Sequence, residues 1–480
     1  MSATKFKPVN ARPVKRFFVE MLTRDIALED AILDLLDNCV DGILRSVGDA
    51  DDSEQPYKGH WAKITFNKKE FVIEDNCGGI PWSLHDQAFR MGRPPDGHNG
   101  GEGSLLTVGV YGIGMKRALF KLGRSATIWT QNKKDNYEVS IPNGWMDDPE
   151  DWDLDVTPAK AKRSEDGTRI VAKDLEDGIK ERFTAESFKD ELLDKIESHY
   201  SVIIHKGFEV TVNETPAKAK PLSFRFASSD VPDADVRPYI FRANPDGIEV
   251  FLAIGLRDPI PGVEKTLSGQ TETEFSSDYA GWTVICNDRV VLYCNRDELT
   301  GWGTAKLPRY HTQFISISGV VEFKGPPALL PTTTTKRGLD FSSPLYQKVL
   351  DRMRDGLRLF VDFTNRWKAR EEEAKEYVGP VASLSYDSLK REASKLSYAK
   401  VKVGLEGEQY KPKLPRPVDD SPDVRISYFR DKEKVAALAE LILPDLAELR
   451  DRDIRRGVGE KSFDYALDEL GAVRRPKKSK

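Results

Sequence analysis

The stretch Leu28 to Leu44, LEDAILDLLDNCVDGIL, limits what the chain can fold into more than any other. Leu28, Ile32, Leu35, Cys39 and Ile43 recur at steps of three and four residues. That single apolar stripe predicts an amphipathic helix docked on a core. Thr23 stands just upstream as its N-cap, a hydroxyl placed to accept from a free amide of the first turn. The polar residues are less ordinary. Asp34, Asn38 and Asp41 fall at i, i+4 and i+7 and share a second face, with Asp37 beside them. Solvation alone accounts for acids on a surface helix. An asparagine in a helix interior is a mediocre helix former and asks for a reason, catalytic or metal-binding.

The chain has 480 residues, room for two to four domains with sizeable cores. No apolar run approaches the roughly 18 residues of a membrane span, and residues 1–18 lack the apolar core of a signal peptide. A cytoplasmic protein without membrane contact is expected. Cys39, Cys77, Cys286 and Cys294 show no CxxC spacing, which argues against a structural zinc site and a disulfide framework. The six histidines add no metal pattern, and the net charge of −5 does not favour nucleic-acid binding by the chain as a whole.

Residues 1–20 are basic and hold Phe17 and Phe18, as either an arm that packs on a neighbour or a lead-in strand. WAKITFNKKEFVIED alternates as two strands around a turn at Asn67 to Lys69, and the second runs into Asp75-Asn76-Cys77-Gly78-Gly79-Ile80. Paired glycines after a strand mark a tight turn where backbone approaches something closely. Asp75 either caps that turn or accepts from a ligand amine. Residues 82–108 are too glycine-rich to pack and read as a lid or as disorder. Gly109-Val110-Tyr111-Gly112-Ile113-Gly114-Met115-Lys116 leads into a helix ended by Gly123, and amides reached through small residues at a helix start form an anion site. It is neither a dinucleotide fingerprint nor a Walker loop.

Strands RSATIWTQ, NYEVSI and DGTRIVAKDL, a helix at 184–200 and strands SVIIHKG and FEVTVNE complete an α/β sandwich to residue 215. Residues 216–343 form a second α/β region that ends in LLPTTTTKRGLDFSS. A helix over 344–377 follows, its charged end KAREEEAKEY suggesting a solvated or coiled-coil stalk. Residues 378–422 read as a linker. Residues 423–473 read as a small module with a strand, VRISYFR, and helices. Residues 474–480 are a basic tail.

Asp34-Leu-Leu-Asp-Asn38-Cys-Val-Asp41-Gly, Asp75-Asn-Cys-Gly-Gly79-Ile and Gly109-Val-Tyr-Gly112-Ile-Gly114-Met-Lys116 resemble, in order, three motifs of the GHKL ATPase superfamily: E-x-x-x-N-x-x-D-A, D-N-G-x-G-[IM] and G-x-x-G-x-G. Gly167-Thr168 resembles a fourth element. The superfamily includes gyrase-type topoisomerases, heat-shock chaperones, histidine kinases, MutL repair proteins and MORC ATPases. The resemblance covers about residues 20–215. It runs more weakly to about 345, where NDRVV and LLPTTTTKRGLDF look like the transducer domain of MORC- and MutL-type proteins, and it has the feel of a prokaryotic relative. No His-box helix precedes it, which sets sensor kinases aside.

The resemblance implies an α+β chain: a Bergerat-type α/β sandwich over 21–215, a transducer-like domain, a long helix and a small α/β module. It implies ATP and Mg2+ as ligands, with Asn38 on the metal. Asp75 and Gly79 would meet the adenine, Thr168 would close the site beside Asp75, and Asp41 would line it. Residues Gly109 to Lys116 would cradle the phosphates. Asp34 would be the general base and Lys336 the cation on the γ-phosphate. Two positions depart from the family pattern. Asp34 stands where a glutamate is usual, one methylene shorter, and Cys77 where a glycine is usual, with Gly78 free to take the unusual backbone angles. Arg289 and Arg337 read as ordinary surface salt bridges, with phosphate or partner contacts as the alternative. The implied function is slow ATP hydrolysis that closes the lid and pairs two copies as a clamp or switch, acting on DNA in genome or phage defence. The alternatives are an ATP-gated chaperone-like or signalling module that holds a protein partner through its C-terminal region, and a non-hydrolysing scaffold.

Overall fold

The computed structural model describes residues 14–47, 54–90, 112–227, 235–258, 277–333, 338–368, 370–417, 429–444 and 450–470. The chain divides into two compact units, residues 1–417 and 418–480.

Alternation in WAKITF and FVIED produces strands β1 (Trp61–Phe66) and β2 (Phe71–Asp75), with Ile64 opposite Ile73 and Phe66 opposite Phe71. The Asn67 carboxamide accepts from the amides of Lys69 and Glu70 and shapes the turn between them. Strands β3 (Gly123–Gln131), β4 (Asn136–Ile141), β5 (Asp155–Pro158), β6 (Gly167–Leu175), β7 (Glu209–Val212) and β8 (Thr215–Pro216) extend them. The sheet order is β5-β4-β3-β6-β2-β1-β7-β8, antiparallel except between β1 and β7. This order sets β6 beside β2, so that Glu74 pairs with Arg169 and Thr168 arrives next to Asp75.

Its helices are α1 (Lys15–Arg24), α2 (Leu28–Val47), α3 (His85–Phe89), α4 (Gly114–Leu122), α5 (Asp177–Thr184), α6 (Glu186–His199) and α7 (Ser201–His205). Ile32, Leu36 and Val40 of α2, Leu119 of α4 and Ile196 of α6 share one core with Ile64, Ile73 and Ile128 of the sheet. Helix α2 is not the half-solvated helix its stripe suggests. From Ala31 to Ile43 every residue but Asn38 is buried, including Asp34, Asp37 and Asp41.

The second sheet gathers β10 (Tyr239–Ala243), β11 (Glu249–Leu256), β12 (Gly281–Cys286), β13 (Arg289–Asn295), β14 (Ile317–Lys324), β16 (Ala399–Val401) and β17 (Gly407–Tyr410) in the order β13-β12-β14-β11-β10-β17-β16, while β9 (Ser223–Arg225) pairs with β15 (Ser383–Ser385). Helix α8 (Pro344–Trp367), capped by the Ser343 hydroxyl, buries Tyr346, Leu350, Met353, Leu357 and Phe360 in the core of this sheet.

Several local expectations are corrected by tertiary packing. Residues from Lys15 form a helix, not an arm or strand, because the Lys15 ammonium is buried over the Trp145 ring at 3.4 Å and donates to the carbonyls of Trp145 and Asp148. Thr23 is no N-cap for α2, since it lies inside α1 and its hydroxyl donates back to the Val19 carbonyl at 3.0 Å. SVIIHKG starts as helix α7 rather than a strand, its β-branched residues buried against the core from a helical turn. The stalk is absent: α8 stops at Trp367, and in α9 (Glu371–Val378) Ala374 and Val378 return to the same core. The supposed linker supplies β15, α10 (Tyr386–Ala393), β16 and β17: β15 pairs with β9 and β17 with β10, strands laid down far earlier in the chain, and β16 pairs with β17. In the second unit, α11 (Lys432–Ile442) and α12 (Asp451–Glu469) bury Ala439 and Val458. Most of VRISYFR and the basic tail lie outside the described residues.

Candidate functional site

One pocket is built from five segments, four of which the sheet order or the α2–α4 packing brings to the same place. Helix α2 contributes Asp34, Asn38 and Asp41, the turn after β2 contributes Asp75 and Gly79, and β6 contributes Thr168. The start of α4 contributes Gly112, Ile113, Gly114, Met115 and Lys116. Gly109, Val110, Tyr111 and Lys336, and residues 91–108 of the expected lid, lie outside the described residues. Residues 82–90 carry α3, and Leu84, Gln87 and Ala88 line the pocket.

Asp75 forms the deepest polar point. Its Oδ1 accepts from the amide of Cys77 at 2.8 Å and the amide of Thr168 at 3.2 Å, and the Cys39 thiol donates to Oδ2 at 3.5 Å. Burial pushes this carboxyl up to about 6, against the pull of those donors and of Arg45. A carboxylate so held is oriented rather than loose, with a lone pair of Oδ2 available for a ligand N–H. Gly78 and Gly79 both have positive φ, 92° and 65°. A Cβ at Gly79 would stand 2.0 Å from the Gln131 carbonyl, so only glycine permits the turn to close against β3. Cys77 is spared the left-handed conformation. Burial pushes its thiol up, which makes it a poor nucleophile.

On the opposite wall, Asn38 is exposed to the pocket on a helix that is otherwise buried around it. Four residues earlier Asp34 is buried, and Arg117 grips it with both Nε, at 3.2 Å, and Nη2 on Oδ2. Lys116 reaches the other way: its ammonium donates to the carbonyls of Ala88, at 2.8 Å, and Gly112, tying α3 to the glycine turn. The turn opens α4, whose first amides and positive dipole end favour an anion. Among the described residues no cluster of His, Cys, Asp and Glu forms a multi-ligand metal site. An open carboxamide beside buried acids is instead the kind of site that holds Mg2+ through one protein oxygen.

Residues 26–176, which span α2 through β6, match the family model of histidine kinase-, DNA gyrase B- and HSP90-like ATPases. This stretch is therefore similar to a GHKL-type ATPase domain, inside a mixed α+β molecule. No curated protein matches the chain significantly. No helix among the described residues is long and apolar enough to cross a membrane.

Arg117 and Arg45 were not singled out from the sequence and Cys39 was read only as part of the apolar stripe, although all three line the pocket. Cys39 sits inside a recognised motif and Arg117 directly after one, but at positions whose direction only helix packing reveals. Arg289 is not on the surface. It is buried, donates from Nε to Asp37 at 2.9 Å and lies over the Tyr200 ring at 4.2 Å.

Proposed function

We propose that this pocket binds ATP with Mg2+ and that the chain hydrolyses it slowly. The observation that carries the reading is Asn38, a polar side chain turned into the pocket from a helix whose other residues there are buried. Its carboxamide oxygen holds the metal, which would offset phosphate charge. Asp75 accepts from the exocyclic amine of adenine while Gly79 lets the backbone approach the base, and Thr168 closes the site beside them. The α4 amides at Gly112 to Met115, with Gly109, Val110 and Tyr111 before them, face the phosphates. Asp34 is the general base, and Lys336 supplies a cation at the γ-phosphate.

In the fuller reading ATP is an effector. It closes the lid and pairs two copies, and hydrolysis resets them. By resemblance to MORC- and MutL-type proteins, such a clamp acts on DNA. ATP-dependent, salt-sensitive retention of DNA supports this, whereas ATP-gated capture of a protein without DNA binding favours the chaperone-like alternative. The first test is calorimetric binding and turnover of ATP with Mg2+ for wild type and Asn38→Ala, with oligomeric state read by light scattering in a non-hydrolysable analogue. Binding and turnover in wild type, both impaired in Asn38→Ala, are expected. Failure of the wild type to bind ATP would overturn the reading. Binding without turnover would leave an ATP-gated scaffold.

A further inference from the structure

We infer that Arg117 is the positioning residue for Asp34 in ATP hydrolysis. This inference rests on the ATPase reading above. Arg117 lies in the first turn of α4, directly after Lys116, and its side chain is 8% exposed. Two of its nitrogens converge on a single oxygen, Oδ2 of Asp34. A guanidinium is planar and always charged, so two bonds to one oxygen set the direction of the carboxylate as well as its charge. The helix that carries this arginine is the one whose N-terminus lines the pocket. At the same contact α4 packs on α2, and a Cβ at Gly114 would meet the Asp34 Cβ at an ordinary 3.4 Å. The anion-binding turn and the clamp on Asp34 thus belong to one rigid element.

The arrangement answers the short side chain at position 34. An aspartate reaches less far than a glutamate, so its direction must be defined for a water to sit between it and the γ-phosphate. Fold stability alone does not call for the pair. The cost of desolvating two charges commonly cancels their attraction, and an apolar pair of similar size serves a core equally well. Across the packing Asp34 also feels the Arg289 guanidinium, from β13, and the neutral Tyr200 phenol, just past the end of α6. Arg289 and Tyr200 bond Asp37, whereas Arg117 bonds Asp34 from α4, beside the pocket.

The experiment is a double-mutant cycle on the full chain, with ATP affinity and turnover measured separately. The variants are Arg117→Met, Arg117→Lys, Asp34→Asn and the double variant Arg117→Met with Asp34→Asn. Arg117→Met is expected to lower kcat by about 10- to 100-fold while the Kd for ATP moves by less than about 3-fold. Arg117→Lys recovers part of the loss, because lysine restores the charge without the fork. In the Asp34→Asn background, Arg117→Met costs no further turnover, since both changes act through one carboxylate. The double variant has neither charge of the pair, so it folds even where Arg117→Met leaves Asp34 unpaired and does not.

An equal loss in both backgrounds would overturn the inference. So would a loss of affinity at unchanged kcat, which would make Arg117 a phosphate ligand. Wild-type turnover unaffected by Arg117→Met would overturn this inference alone. A wild type with no turnover would overturn both this inference and the hydrolysis reading beneath it.

Discussion

Asp34 and Asp37 are three residues apart on α2, both buried, and each is paired with an arginine, yet they serve opposite sides of the helix. Asp34 faces the pocket and meets Arg117 from α4, within the same sandwich. Asp37 is turned away from the pocket and meets Arg289, which arrives from β13 of the second sheet, 252 residues later in the chain. The second pair has Tyr200 as a further neighbour. Tyr200 donates to Asp37 at 2.6 Å and to the Leu33 carbonyl at 2.7 Å, and its ring supports the guanidinium. Around it, the hairpin turn of β12–β13 is held by Tyr57 and Lys206, which donate to Asp288 at 2.8 and 2.6 Å. Asn287 and Asp288 have φ of 47° and 65°, a tight hairpin turn aimed into the first sandwich. Like chemistry on one helix therefore does two things. One pair leaves a carboxylate at a pocket, and the other fastens the second sheet to the helix that forms that pocket.

That contrast can be broken most forcefully at Asp34. Asp34→Asn is expected to lower ATP turnover by about 10²- to 10⁴-fold with ATP binding retained. If turnover survives, the pocket-side acid is structural like its neighbour. Arg289→Ala is the counterpart. It leaves Asp37 buried and uncompensated and should lower unfolding free energy by about 3–5 kcal/mol in denaturant titration. A change below about 1 kcal/mol would mean that the seam between the sheets does not depend on this pair.

Gly79→Ala tests the pocket floor. Its φ of 65° and the 2.0 Å approach to the Gln131 carbonyl are incompatible with a Cβ. The expected loss is on the order of 3 kcal/mol of stability, with ATP affinity, measured by calorimetry, falling as the turn shifts. The smallest effect concerns pH. Burial raises Asp75 from 3.8 to about 6 in the folded chain, so between those values the folded state holds more protons than the unfolded one. Stability from this group is therefore present at low pH and lost as pH rises from 3.8 through about 6. ATP affinity runs the other way. It is full above that range and weakens as pH falls through about 6, because the adenine amine then meets a protonated acid. An affinity that stays flat across this range would remove Asp75 from base recognition. Asp75→Asn should abolish the stability slope in that window.

The pocket was more legible in the chain than the rest of the molecule. Asn38, Asp75, Gly79, Gly112 and Gly114 belong to short motifs, and their meaning is local: a mid-helix amide, a strand-end acid, glycines that allow close approach. Strands β1 to β4 and β6 were readable for the same reason, because alternation declares a half-buried strand. The seam was not readable. Arg289 resembled any surface arginine, and nothing near it announced Asp37. Residues 378–422 resembled a linker, because polar composition does not reveal that β17 pairs with β10, 170 residues upstream. SVIIHKG had strand composition, and propensity yielded to packing on the core.

The sequence by itself determined the amphipathic run of α2, the glycine turns and the order of the motifs, because side-chain spacing and glycine's permitted angles act over a few residues. Only the tertiary structure decided which polar residue of α2 stays open to the pocket, which arginine holds which aspartate, and which segments close the second sheet. Those outcomes depend on burial, and burial depends on what distant parts of the chain bring to the same place.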